Sequence, residues 1–392
     1  MSAVPFVETP SPTGPRAGLK LGLCAALLML CTAPSALAAQ RTAVAPMLRG
    51  NANFSYQGVG ALVRLRDRQG VHSTLSEVGS YSRIQQSMLI AGEFSPYHGI
   101  GLHLDVPVVF YDRIHWAEAR SIRFDPDGSM PTMAGGSTLS QDVLDSSASS
   151  RLHAGLGDIA FGLRLVPFAE RGVPGRKAPA SLALDATLRF PSGGHHDKVR
   201  DDGNAGPGVG GMGIRVGASA SRRLPGAEAY LSIHYSHNAA YKVELLDTEG
   251  QPIPPLEEEE AVVLRPADTF EMRFGAEIVA LEQTDEGRSV LLDIGLGATY
   301  QSPGEVSSGT LLPAPLPETK GHPATTAEHL VLDGAIEVRI RPMTQLEFHV
   351  GFQGLWRSPH NLERITATAY STQTAPDSFW TRWTTGARVR FR

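Results

Sequence analysis

Leu182-Ala183-Leu184-Asp185-Ala186-Thr187-Leu188-Arg189-Phe190 puts an apolar side chain at every even position and places Asp185, Thr187 and Arg189 between them. Successive side chains of a strand point to opposite faces, so a period of two with one apolar face is the pattern of a β-strand. The rhythm returns about twelve times, at roughly 55–66, 81–94, 100–113, 156–167, 181–191, 210–222, 229–241, 269–281, 289–300, 329–341, 345–356 and 379–391. Segments of about ten to fourteen residues suit a tilted strand that crosses a bilayer, whereas strands of soluble sheets usually run to about five or six. Charges recur on the second face of nearly every segment, so that face is wet. The pattern predicts an all-β fold: a transmembrane antiparallel up-and-down β-barrel of about 12 strands.

The links between segments alternate in length. Those carrying Ser95 to Gly99, Phe168 to Pro179, Leu224 to Glu228, Glu282 to Gly287 and Pro342 to Thr344 are short. Those containing Arg120 to His153, Gly193 to Val209, Glu244 to Ala267, Gln301 to Thr326 and Arg357 to Asp377 are long. Short periplasmic turns and long extracellular loops are the habit of outer-membrane barrels, and an even strand number puts both ends of the sheet on the periplasmic side. A fourteen-strand count would need strands at Val262 to Pro266 or Leu311 to Pro317, and their prolines argue against it.

Alternation also assigns the faces. Ile100, Leu102, Leu104, Val106 and Val108, with Phe270, Met272, Phe274, Ala276 and Ile278, are expected to face lipid. The opposite parity is expected to line the lumen. It carries His103, Asp105, Asp158, Arg164, Asp185, Arg189, Arg215, Glu271, Arg273, Glu277 and Asp293, then Asp333, Glu337, Arg339, Arg341, Glu347, His349, Arg382, Arg388 and Arg390. An Arg or Lys facing the bilayer midplane costs about 2–4 kcal/mol, so one parity shared by so many charges is a constraint and not a coincidence. Gly211, Gly213, Gly217, Gly295 and Gly297 fall on the inward parity, where a missing side chain leaves room for long arginines opposite. Aromatics gather near segment ends as expected of interfacial girdles: Tyr111, Trp116, Tyr241, Tyr300, Trp356 and Trp380 at the outer side, Phe94, Phe168 and Phe391 at the inner.

Residues 1–38 read as a secretory signal, with Arg16 and Lys20 ahead of the apolar run Leu21 to Ala33 and an A-x-A site at Ala36 to Ala38. A short periplasmic segment, 39–53, would follow, and the barrel would occupy 54–392. Both cysteines, Cys24 and Cys31, lie in the signal, so disulfide and thiol chemistry is excluded from the mature chain. Its balance moves from 35 basic against 40 acidic residues to 33 against 39, and that acidic excess argues against a nucleic-acid partner. The localisation expected is the outer membrane of a Gram-negative-type bacterium, with membrane lipid, lipopolysaccharide and the barrel-assembly machinery as partners.

Gly155-Leu156-Gly157-Asp158-Ile159-Ala160-Phe161-Gly162-Leu163-Arg164, followed by Leu188-Arg189-Phe190-Pro191-Ser192-Gly193, resembles the outer-membrane family of the meta-pathway of phenol degradation. That family is related to the long-chain fatty-acid channel superfamily. The strand at Tyr97 to Tyr111, with Gly99, Leu104, Val106 and Pro107, is similar too, and the resemblance covers about Gly92 to Asn238. It implies a barrel that lets small, often hydrophobic or aromatic compounds cross the outer membrane, and it brings no catalytic residues. The 39–53 segment is too short for the folded plug of the fatty-acid channels.

Other constellations read as bland. His195-His196-Asp197 lacks spaced partner ligands, and Glu257 to Glu260 reads as a solvated acidic loop. Tyr235-Ser236-His237-Asn238 invites comparison with outer-membrane phospholipases, but the position two residues after His237 is Ala239, so no serine nucleophile stands there. Gly206 to Gly213 lacks the lysine and helix of a phosphate loop. No cofactor, metal or catalytic residue is expected. Two functional readings remain: a passive channel for small-molecule solutes, with selectivity set by the inward charges and by loops 120–153 and 301–326, or a closed barrel working through its loops. Pairing of the inward charges across neighbouring strands is the preferred reading of the lumen, because narrow barrels fill with side chains.

Overall fold

The computed structural model describes residues 49–69, 74–117, 154–170, 180–194, 207–208, 210–243, 262–283, 288–306, 324–365, 370–375 and 378–391. The signal expected at 1–38, the histidine pair at 195–196, the acidic run at 257–260 and most of loops 120–153 and 301–326 lie outside them. In chain order the strands are β1 (Arg49–Gln69), β2 (Thr74–Tyr97), β3 (Ile100–Ala117), β4 (Gly155–Leu156), β5 (Ala160–Phe168), β6 (Ser181–Arg189), β7 (Gly213–Leu224) and β8 (Ala227–Asn238). They continue as β9 (Tyr241–Val243), β10 (Val262–Leu264), β11 (Thr269–Gln283), β12 (Arg288–Gln301), β13 (Gly304–Val306), β14 (Ala324–Thr326), β15 (His329–Met343), β16 (Leu346–Arg357), β17 (His360–Ile365), β18 (Tyr370–Ala375) and β19 (Ser378–Phe391).

Twelve of these are long and close on themselves: β1, β2, β3, β5, β6, β7, β8, β11, β12, β15, β16 and β19, each antiparallel to the next. The seam is the pairing of β19 with β1, running from Gly50 opposite Phe391 to Leu62 opposite Phe379. A closed sheet leaves no unpaired edge, which is the condition for a β-structure to sit in lipid. The twelve segments read from alternation correspond one to one with the twelve barrel strands. The first begins at Arg49, five residues before the expected start at 54, because its inward polar set already opens at Asn51 and Asn53.

At one end tight turns join β2 to β3, β7 to β8 and β15 to β16, with Gly99 and Gly226 at φ +78 where an L side chain would be strained. β1 starts and β19 finishes at this same end, Arg49 lying opposite Ser95 just before the first turn. At the other end short strands continue the wall: β17 pairs with β18 and β14, and β18 pairs with β1. Val262–Leu264 does form a strand, but it pairs with β9 in a separate two-stranded sheet and adds nothing to the barrel.

Pro107 marks a break in the wall, as a residue without an N–H must. The β3–β5 ladder stops at Asp105 opposite Ala160, and pairing resumes with β4 at Val108 opposite Leu156. Three residues, Gly157 to Ile159, face two, Val106 and Pro107, and the Pro107 carbonyl accepts from the Gly157 N–H at 2.8 Å.

The outer surface is apolar. Phe270, Met272, Phe274 and Ile278 are 38–50% exposed, as are Ile294, Leu296, Ile336 and Val350 on the neighbouring strands within a somewhat wider range. Phe94, Phe168 and Phe391 are exposed near the turn end and Tyr300 near the loop end, as a girdle requires. Trp380 departs from that expectation. It lies inside, 3% exposed, because it shares the parity of Arg382 two residues on. The side chain of Trp116 lies outside the described residues.

Candidate functional site: the lumen

The twenty charged and histidine residues expected on the lumen face all carry the inward parity. The deepest, Arg339 and Glu347, are each 1% exposed. Their arrangement follows from register. On one rung Glu228, Glu277, Asp293 and Glu337 stand side by side across β8, β11, β12 and β15. Like charges directly opposite repel. Arg339 relieves three of them, reaching Glu277, Asp293 at 3.0 Å and Glu337 at 3.3 Å, while Glu228 accepts from the Ser221 hydroxyl at 2.6 Å. Tyr230 donates to Asp293 at 2.8 Å. Closer to the turn end the sign reverses. Glu347 holds Arg341 at 2.7 Å, Arg390 at 2.8 Å and Arg388 at 3.1 Å.

Pairing runs between adjacent strands, as expected, at Arg164–Asp185, Arg339–Asp293 and around Glu347, and it also runs across second neighbours, where several glycines open the way. Arg273, Gly297 and Asp333 share a rung, and the guanidinium meets the carboxylate over the glycine. Arg189 reaches Asn238 over Gly213 at 2.8 Å, His103 reaches Thr187 over Gly162 at 3.1 Å, and His349 reaches Ser55 over Gly386 at 3.1 Å. A Cβ on Gly297 would overlap an Asp333 carboxylate oxygen. The expectation that inward glycines make room is met at Gly213 and Gly297. Gly217 and Gly295 make room for His234 and Tyr230, and Gly211 for Tyr241. Arg164 does both: it bonds its rung neighbour Asp185 at 2.8 Å and also Glu93 on β2, two strands away, at 2.9 Å.

The segment at Gly155 to Asp158 and the turn at Pro191 to Gly193 close on each other. Asp158, released from the ladder by the Pro107 break, points inward and accepts from the Gly193 N–H at 3.1 Å, with Arg189 3.9 Å away. Ser192 Oγ accepts from the Ile159 N–H at 2.8 Å. Glycine at 157 and 193 is required by proximity, since added Cβ atoms would stand about 3 Å from Pro107 and from the backbone of Gly157.

The charges do not fill the interior evenly. A cavity of about 240 Å³ lies against β1, β2, β3, β5 to β8 and part of β16 and β19, lined from Asn51 and Glu93 near the turn end to Val59, Val109 and Trp380 toward the loops. On the opposite side, among Tyr230, Arg273, Asp293 and Glu337, about 30 Å³ remains. The sequence did not single out Glu93, because Met88-Leu89-Ile90-Ala91 is apolar throughout and hides the parity of β2. Tyr230 and His234 were within reach, since they share the parity of Glu228.

On the outer face His237 Nδ1 lies 3.0 Å from Asp268, which also accepts from Tyr235 at 2.7 Å and from the Asn238 N–H at 3.2 Å. Partial burial would raise the Asp268 carboxyl, but those bonds hold it below its ordinary value. The His237 ring is thus turned to a carboxylate. No group of three or more potential metal ligands occurs among the described residues.

No family model matches the chain, and no curated protein matches it. Solved structures do. An outer-membrane channel from Pseudomonas putida F1 is 11% identical over 87% of this chain and 96% of its own, with a TM-score of 0.46. The β domain of the Bordetella autotransporter BrkA is 10% identical over 86% and 98%, TM-score 0.35. A Pseudomonas aeruginosa FadL homologue is 9% identical over 87% and 90%, TM-score 0.30. At such identities and scores these likenesses assign no function to the chain, which has to be argued from the barrel itself.

Proposed function

We propose that the chain is an outer-membrane channel of a Gram-negative bacterium, admitting small solutes by passive diffusion. The observation that carries this reading is the cavity of about 240 Å³ inside a closed twelve-stranded barrel whose outer face is apolar and whose inner face is polar. A protein built this way sits in lipid with its wet face enclosed, and only the outer membrane is populated by such barrels in export-competent bacteria. The resemblance of the Gly155 to Arg164 and Leu188 to Gly193 stretches to the phenol meta-pathway family supports small apolar or aromatic compounds as the solutes. Lipopolysaccharide, membrane lipid and the assembly machinery follow as partners of any protein in that position. Access would be controlled by the inward charges and the loops.

A second reading, a closed barrel acting through its loops, is favoured by one feature: the Arg339 and Glu347 clusters fill their side of the interior. Liposome swelling separates the two. Proteoliposomes should swell in small sugars at rates that fall steeply with solute size. Swelling no faster than that of protein-free vesicles for every solute would leave the closed barrel.

A further inference from the structure

The geometry points to a specific ligand class: Arg382 is an anion-binding element of the lumen, and the cavity beside it takes a small carboxylate bearing an apolar or single-ring aromatic group. The inference deepens the channel reading and rests on it for the solute's route, though not for binding.

Arg164, Arg189, Arg215, Arg273, Arg339, Arg341, Arg388 and Arg390 each face a carboxylate at 3.9 Å or less. Arg382 is 7% exposed, lines the cavity, and makes no ion pair or hydrogen bond among the described residues, its Nε being buried without an acceptor. Register explains the isolation. Its rung neighbours are Val59 on β1 and Gln353 on β16, and the Gln353 amide is turned to Asp333 at 2.8 Å. Asp333 and Glu271 are near enough to act on Arg382 through space, yet Arg273 and Arg215 hold them directly. A buried guanidinium without a partner is costly to keep, and a rigid fork of donors suits a carboxylate.

The rest of the ligand is set by what shares the cavity with Arg382. Val59, Val109, Leu355 and Trp380 are the buried apolar side chains on its wall, Leu355 lying directly opposite Trp380 and Val59 directly opposite Arg382. The other arginines on the wall, Arg164, Arg189, Arg215 and Arg388, are each paired with a carboxylate, so Arg382 beside this apolar patch matches an amphiphile with a single negative end. At about 240 Å³ the space is just below the usual range of ligand pockets and admits one ring, not several.

The test is calorimetric titration of the refolded full chain in zwitterionic detergent with benzoate, acetate and benzyl alcohol, using wild type, R382Q and R382K, with folding checked by heat-modifiable migration. Benzoate is expected to bind saturably and more tightly than either acetate or benzyl alcohol. R382Q should weaken benzoate roughly ten- to a hundredfold while leaving benzyl alcohol unchanged, the loss expected for a hydrogen-bonded charge. R382K should fall between. Should R382Q not fold, R382K and the three-ligand comparison on wild type decide. Unchanged benzoate affinity in a folded Arg382 variant, acetate or benzyl alcohol binding as well as benzoate, or no saturable benzoate binding would each overturn the proposal. Binding is read without flux. Benzoate binding without solute flux would therefore remove the channel and leave the site, and flux without benzoate binding would do the reverse.

Discussion

Glycines between long polar residues decide the lumen. At Gly162, Gly213, Gly297 and Gly386 the absent side chain lets residues two strands apart bond over it, so these positions act as windows in the inner wall. Gly297→Ala is therefore expected to cost about 1–3 kcal/mol, the range for forcing atoms into a packed site, measured as a lowered urea midpoint in lipid vesicles. An unchanged midpoint would show that the Arg273–Asp333 contact does not depend on the glycine. Glu347→Ala leaves three guanidinium groups around a vacated position and should destabilise the barrel by about 3–5 kcal/mol. Equal stability of this variant and wild type would mean the cluster is solvated and not structural. At this scale the sequence revealed which side chains point inward but not which ones meet. Inwardness needs only parity along one strand, whereas meeting depends on the stagger between strands, which no single segment encodes. The placement of Trp380 was recoverable, because Arg382 carried the parity that puts it inside.

Strands are where the sequence was most legible. The barrel strands announced themselves by alternation, except where Met88 to Ala91 blurs β2, since one face meets hydrocarbon and the other water. Irregularities were harder to read. The extra residue at Phe110, where the β2–β3 register shifts between Gln86 and Ser87, leaves no compositional mark. Pro107 is the exception, because a proline cannot donate to the ladder and so marks its interruption. The short strands β13, β14, β17 and β18 were hidden in links read only as long loops. The facing of β15 is testable with Ile336, which is 53% exposed on the outer side between Ile294 and Phe352. Ile336→Arg should cost about 2–4 kcal/mol in unfolding titrations from a bilayer. A cost near zero would mean that this face does not meet the hydrocarbon core.

The whole barrel divides its interior between structure and space. Glu277, Asp293 and Glu337 around Arg339, and the three arginines around Glu347, tie β11, β12, β15, β16 and β19 together and leave little volume on that side. The cavity lies along the β1 to β8 side, where Arg164 and Arg189 are held back against Asp185, Glu93 and Asp158 near the wall. The expectation of a lumen furnished with paired charges describes one half well and the other half incompletely. Strand parity assigns each residue a side of the sheet and says nothing of how far it reaches across the barrel. A passage confined to one side should be narrow, with small unitary conductance, and sensitive to the Arg382 guanidinium, which has no ion pair among the described residues. The most direct test is single-channel recording of the refolded protein in a planar bilayer. Small, discrete current steps, with anion preference reduced in R382Q, are predicted; a membrane no more conductive than bare lipid across repeated insertions would contradict the channel.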